Sequence, residues 1–233
     1  MKNKPLFGLP SEVKFCKSCV ISNQRPNSTV EMKNDNKKKE TIQFDSKGVC
    51  SACNYNKEKK LDVDWKSREE KLFELLEPYR SSNGDYDVLV PSSGGKDSSF
   101  TAHILKYKYK MNPLTITWAP NMFTRAGWNN FNSLAREGGI DSILYTPNGQ
   151  LHSYLTRLAF LNICHPFQPF IHGQKIIGPK IASKYGIKLV MYGENQAEYG
   201  NPLEQNSNPF MDMNFFSIDN PLDIMFGGVS VKE

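Results

Sequence analysis

The chain has 233 residues, 39% hydrophobic and 23% charged, with a formal net charge of +5. That length and ordinary globular usage exclude a disordered or fibrous chain and suffice for one α/β body with a core plus a small appended module. The basic run between Lys33 and Lys60, with Lys37, Lys38, Lys39, Lys57, Lys59 and Lys60, lacks aromatic residues interleaved at stacking spacing and reads as a solvated loop, so nucleic acid is not an expected partner. Residues 1–10 carry no long apolar stretch, and no later run approaches the length that spans a bilayer; the expectation is a cytoplasmic protein with no membrane partner, in which free thiols persist.

In chain order, residues 15–53 are turn-rich and hold four of the five cysteines. Cys16-Lys17-Ser18-Cys19 and Cys50-Ser51-Ala52-Cys53 are two Cys-x-x-Cys knuckles whose four sulfurs suit tetrahedral Zn²⁺. Four thiolates fill that coordination sphere, so the Zn²⁺ is assigned to folding. The polar insertion at 34–39 is expected to loop out between two strands. Disulfides or redox pairs are the competing reading, disfavoured because neither knuckle is expected to open a helix of a thioredoxin-like βαβ unit. A change of composition near Leu61 marks a boundary. Residues 65–79 read as a helix with Ser67 and Glu70 as a capping box and Leu72, Phe73, Leu75 and Leu76 along one face. The plan is a zinc-binding module over 1–60, a connecting helix over 61–84 and a catalytic body over 85–233.

Residues 86–91 read as a buried strand, 98–108 as a helix, 114–118 as a strand, 128–137 as a helix and 142–145 as a strand. Helices over 151–161 and 171–185 and a fourth strand over 188–192 follow. This alternation predicts an α/β fold, a parallel sheet with helices on both faces, whose loops after Pro91, Trp118 and Tyr192 converge at the carboxyl ends of the strands. Gly227-Gly228-Val229-Ser230-Val231 reads as the interior of an element, so the chain is expected to continue past its last residue.

Between the first strand and its helix lies Ser92-Ser93-Gly94-Gly95-Lys96-Asp97-Ser98-Ser99. Two glycines let backbone amides at a helix N-terminus approach phosphate, the serines offer hydroxyls and Lys96 a cation. The spacing fits neither the Walker A loop nor the dinucleotide fingerprint. A turn that merely joins strand to helix is the bland alternative. Asp97 suits either a Mg²⁺-linked role beside phosphate or a charge that complements the helix dipole. The second polar loop, Gly193-Glu194-Asn195-Gln196-Ala197-Glu198-Tyr199-Gly200, follows the fourth strand and stands to face the phosphate or the acceptor; ordinary solvated carboxylates at Glu194 and Glu198 are the alternative.

The phosphate loop resembles the SGGxDS signature of PP-loop ATP pyrophosphatases, with an adenine nucleotide alpha hydrolase-like fold. Together with the knuckles, here as a small N-terminal zinc-ribbon module, and with the second loop, it resembles the N-acetyl sugar amidotransferases, which include enzymes of pseudaminic acid and O-antigen sugar biosynthesis. The resemblance runs from Cys16 to about Gly200. It implies ATP and Mg²⁺ held by Ser92, Ser93, Gly94, Gly95, Lys96, Asp97, Ser98, Ser99 and Gly193, with Lys96, Asp97 and Glu194 in catalytic roles. It also implies conversion of the acetamido group of a nonulosonic or nucleotide-linked sugar to an acetamidino group, with ammonia from a separate glutaminase subunit. Cys164 is read as a buried thiol at a helix end, and His172 and Lys175 as residues of a surface helix. The rival readings are a tRNA-thiolating PP-loop enzyme, which would want a second cysteine set where only Cys164 is available, and a module that binds nucleotide without turnover.

Overall fold

A computed structural model describes residues 8–26, 40–194, 210–211, 216 and 225–232. The chain divides into two compact units, Met1–Leu72 with Asn195–Met211 and Phe73–Glu194 with Asp212–Glu233.

The first unit is short of regular structure. Antiparallel bridges join Phe15 to Ser22, Pro26 to Thr41 and Phe44 to Cys50. Among the described residues its core is small: Cys16, Val49 and Cys50 are buried, packed by Ile21, Ile42 and Phe44. So little apolar burial is a weak basis for independent stability, the circumstance in which a structural metal supplies what the core does not. Helix α1 (Ser51–Leu61) starts at Cys50, whose Sγ accepts from the Cys53 N–H. The second knuckle opens a helix, but among the described residues no thioredoxin-like βαβ unit surrounds it, as expected. Helix α2 (Trp65–Leu76) begins after Asp64, whose Oδ1 accepts the N–H groups of Lys66 at 3.0 Å and Ser67 at 3.1 Å. The cap is thus Asp64 and not Ser67, because a carboxylate just before the first turn reaches two orphan amides at once. The insertion at 34–39, with Lys37, Lys38 and Lys39, lies outside the described residues.

The second unit is mixed α/β. Strand β1 (Val88–Pro91), helix α3 (Lys96–Tyr107), strand β2 (Pro113–Trp118), helix α4 (Arg125–Arg136) and strand β3 (Asp141–Tyr145) alternate, followed by helices α5 (Gly149–Ile163) and α6 (Gln168–Lys184). The sheet is parallel in the order β1-β2-β3, with Leu89 opposite Leu114 and Trp118 opposite Tyr145. Residues 188–192 contribute a single parallel bridge instead of a full strand: Val190 pairs with Leu89 on the free side of β1. There Leu89 N donates to Leu189 O and Met191 N to Leu89 O, both at 2.9 Å.

Alternation sorts the side chains to two faces. Leu89, Leu114 and Ile116 pack with Ile177, Ile181 and Ala182 of α6 and with Ile187. Val88 and Val90 point the other way and are fully buried, as Ala102 and Leu105 of α3 are nearly so. Strands β1 and β2 are buried up to their last residues, Pro91 and Trp118. After α6, a hairpin of β4 (Met225–Phe226) and β5 (Val229–Ser230) turns through Gly227 and Gly228, at φ +59° and +78°. Two successive positive φ values make the inward-twisting two-residue turn that Gly-Gly favours. Gln168 and Asn162 hold it, Gly227 N donating to Gln168 Oε1 at 2.7 Å and Asn162 Nδ2 to Gly227 O at 2.8 Å.

Candidate functional site

The connection from β1 to α3 is built around one glycine and one buried serine. Gly94 sits at φ +79°, and a β-carbon there would stand 2.7 Å from the Phe131 nitrogen of α4, so both the turn and the close approach require glycine. Ser92 is buried. Its Oγ accepts from Gly94 N at 3.2 Å and lies 2.9 Å from Ser98 Oγ, its N–H donates to Ile116 O, and its carbonyl accepts from the Thr117 hydroxyl. Ser92 therefore fixes the loop, while Ser93 is exposed and Ser99 half-buried. Gly95 is the N-cap of α3 and brings no side chain to the helix end. The first intrahelical bond is Ser99 N to Gly95 O at 3.0 Å. A helix terminus left open in this way favours an anion.

Lys96 and Asp97 occupy the first turn, with Nζ 2.6 Å from Oδ1. Their side chains are 88% and 55% exposed, so the pair adds little to stability and both charges stay available to a ligand.

The second polar loop begins against this helix end. A β-carbon on Gly193 would stand 2.6 Å from the nitrogen and Cα of Ser98 and 2.8 Å from the carbonyl carbon of Asp97. Two stretches about a hundred residues apart in sequence thus meet backbone to backbone where α3 starts. Gly178 of α6 approaches nearby: its β-carbon would lie 3.0 Å from Pro91 and 3.1 Å from the Tyr192 hydroxyl. Burial, and then the charge of Glu194, push the Tyr192 phenol above its usual range. Glu194 itself is exposed, and Glu198 lies outside the described residues.

The topology makes this corner a natural ligand site. From β1 the chain steps to β2 and β3, then returns through α5 and α6 to the opposite side of β1. The loops after Pro91 and Tyr192 leave adjacent strand ends at the point of reversal, where open parallel sheets leave a crevice.

In the first unit, Cys16, Cys19, Cys50 and Cys53 bring their sulfurs within 4.8 Å of one another, and Cys19 Sγ is 3.7 Å from Cys50 Sγ. Zn–S bonds of about 2.3 Å in a tetrahedron separate sulfurs by about 3.8 Å, so the cluster fits such an ion. All four are free thiols. Backbone N–H groups of Ser18 and Cys50 donate to Cys16 Sγ at 3.3 and 3.2 Å. Burial raises the Cys16 thiol, but N–H donation from Cys50, Ser18 and Cys19 outweighs it and brings the pKa down to about 6. The Cys19 and Cys50 sulfurs, with burial, push Cys53 up to about 12. One sulfur is thus stabilised as a thiolate by the backbone, and its neighbours resist further negative charge until a cation arrives.

Two expectations fail. His172 is buried at 2% exposure, because it lies on the inner face of α6 with Gly173 and Ile177. Cys164 is exposed rather than buried: it ends α5 in a left-handed conformation at φ +52°, ahead of Pro166. Sequence reading missed Thr117 and the backbone at Phe131 as supports of the loop; the one available signal was their location in and after the strand that neighbours β1.

No protein-family profile matches the chain. A stretch of 80 residues is 30% identical to an uncharacterized protein of Methanocaldococcus jannaschii; it covers 34% of this chain and 28% of the length of that protein.

Proposed function

We propose that the chain is an ATP-dependent amidotransferase of the PP-loop class that converts an N-acetyl group on an anionic sugar, nonulosonic or nucleotide-linked, to an acetamidino group. The observation that carries this reading is the seating of Gly193 on Asp97 and Ser98, which joins the glycine-serine loop and the second polar loop in one corner. Phosphates would be held by the loop around Ser93, Gly94 and Gly95, the amino end of α3 and Lys96. Mg²⁺ fits as an ion bound chiefly by phosphate oxygens, with the half-exposed carboxylate of Asp97 as a protein ligand.

In the reaction the amide oxygen attacks the α-phosphorus of ATP and the bond to pyrophosphate breaks. Ammonia then adds to the imidate carbon and AMP departs with the former amide oxygen, leaving an amidine that keeps its proton near neutral pH. The chain's part is to stabilise charge on the departing pyrophosphate, for which Lys96 and the loop amides are suited. Glu194, at the mouth of the second loop, is assigned to orienting ammonia. A separate glutaminase subunit is the proposed ammonia source.

The test is pyrophosphate release from MgATP and ammonium with an N-acetylated sugar phosphate or nonulosonic acid, against bulk tRNA, with Asp97→Ala as control. Sugar-dependent release, lost in the variant, is the expected result. Release that depends on tRNA replaces the reading with RNA modification, and nucleotide binding with no release under either condition replaces it with a non-catalytic module.

A further inference from the structure

A cavity of ≈ 240 Å³ opens at the carboxyl ends of β2 and β3, on the sheet face covered by α6. Its walls are mostly apolar. Trp118 and Tyr145, paired across the strands, stack with ring centroids 5.2 Å apart and 20° between planes. His152 of α5 stands 6.2 Å from the indole, and Phe226 of the hairpin meets the His172 ring edge-on at 5.2 Å. Helix α6 presses on the indole so closely that a β-carbon on Gly173 would stand 2.2 Å from Trp118 Cε2. Among the described residues the lining contains no carboxylate, and Lys180 is its one lysine or arginine.

Two polar atoms in these walls are buried without a hydrogen-bond partner among the described residues: Trp118 Nε1 and His152 Nε2. Orphaned buried groups are rare in folded proteins and call for a missing partner. Trp118 offers only a donor. Burial lowers the pKa of His152, which keeps its imidazole neutral and able to accept. One donor and one neutral nitrogen among apolar walls complement a group that is planar, uncharged and carries one acceptor and one donor.

The geometry points to this cavity as the seat of the acceptor's acetamido group, its carbonyl oxygen accepting from Trp118 Nε1, its N–H donating to His152 Nε2 and its methyl against the aromatic walls. The acceptor's phosphate or carboxylate then meets Lys180 at the rim. This assignment rests on the amidotransferase reading above. Both orphan atoms are shut off from water, so the assignment requires the two rings to turn toward the entering group. The cavity also separates substrate from product. An acetamidino group is cationic, and an apolar pocket with a neutral imidazole at His152 and no carboxylate among its described lining residues has nothing there to compensate a buried cation. The same charge argument rejects the unacetylated amino sugar.

The experiment follows the indole N–H signal of Trp118 in the ¹⁵N-labelled full chain, identified by its loss in Trp118→Phe, with Trp65 and Trp128 as internal references. N-acetylglucosamine 1-phosphate should move that signal alone; glucosamine 1-phosphate and MgATP should not. Lys180→Ala, at an exposed position, should keep the shift but raise the dissociation constant about fivefold. A signal that stays still with the acetylated sugar, that moves equally with the amino sugar, or that moves with MgATP alone overturns the assignment. Pyrophosphate release that depends on the N-acetylated sugar, with a silent Trp118, keeps the enzymatic reading and removes the cavity from it. A responsive Trp118 without release keeps the cavity as an amide-binding site and removes the ATP chemistry.

Discussion

Replacing Gly193 by alanine tests the corner in which the two loops meet. The added carbon would stand 2.6 Å from two backbone atoms of Ser98 and 2.8 Å from one of Asp97. Carbon contacts relax at about 3.5–4.0 Å, so the chain must open by about 1 Å at this point. None of the three atoms belongs to a flexible side chain. The Ser98 hydroxyl is tied to Ser92, which Thr117 and Ile116 tie to β2, so the helix end cannot retreat without disturbing the sheet. Overpacking of this kind costs about 1–3 kcal/mol, and a chain of this size loses about 2–4 °C of melting temperature per kcal/mol. If the loop holds phosphate as proposed, a shift of about 1 Å in it should lower turnover by about a hundredfold. Calorimetry gives the first quantity and pyrophosphate release the second. Gly149→Ala is the control, since its β-carbon meets nothing within 4 Å and the residue opens α5; it should be neutral or stabilising by up to about 1 kcal/mol. A Gly193→Ala protein that melts and turns over like the parent refutes the buttressing role of this residue.

Further outcomes are expected elsewhere. The four-cysteine cluster should bind one Zn²⁺ per chain, and a chelator should unfold the first unit while sparing the second. Because the pKa values of Cys50 and Cys53 are raised, both are thiols at neutral pH in the metal-free protein; loading must release protons, and affinity must fall as pH falls. Titration calorimetry in buffers of different ionisation enthalpy reads that release, and metal uptake with no proton exchange counts against the site. Asp64→Ala should cost about 1 kcal/mol by uncapping α2, whereas Ser67→Ala should be near neutral; equal losses in thermal unfolding would restore the Ser67 cap. Gln168→Ala strands the Gly227 N–H and should cost about 1–3 kcal/mol, with fast amide exchange confined to the hairpin; unchanged exchange there contradicts the anchoring.

Much of this architecture was legible because its signals are local. Short apolar runs bounded by turn residues gave β1, β2 and β3 to within two residues at each end, and strand-helix alternation gave their parallel sense. The knuckles declared the sulfur cluster through spacing alone. What sequence could not supply was three-dimensional neighbourhood. Residues 188–192 have the composition of a strand but share only one bridge with β1, so pairing and not propensity decided the outcome. His172 looks like any polar residue on a helix until α6 is laid on the sheet and its face turns inward. The α2 cap went to Asp64 over Ser67 because a cap is defined by which backbone amides the side chain reaches. Trp118 and His152 become a pair only when β2 and α5 are adjacent.

The bridge between Leu89 and Val190 carries a consequence for the newborn chain. Contacts that span roughly a hundred positions form late, since the loop-closure entropy is lost before the contact compensates for it. During synthesis the serine-glycine turn leaves the ribosome long before Gly193 does, so it exists for a time as a turn with no buttress. On the proposed reading, the capacity to grip a nucleotide should therefore arrive abruptly, when the segment after α6 docks beside β1, and ribosome-bound chains halted short of that segment should bind none.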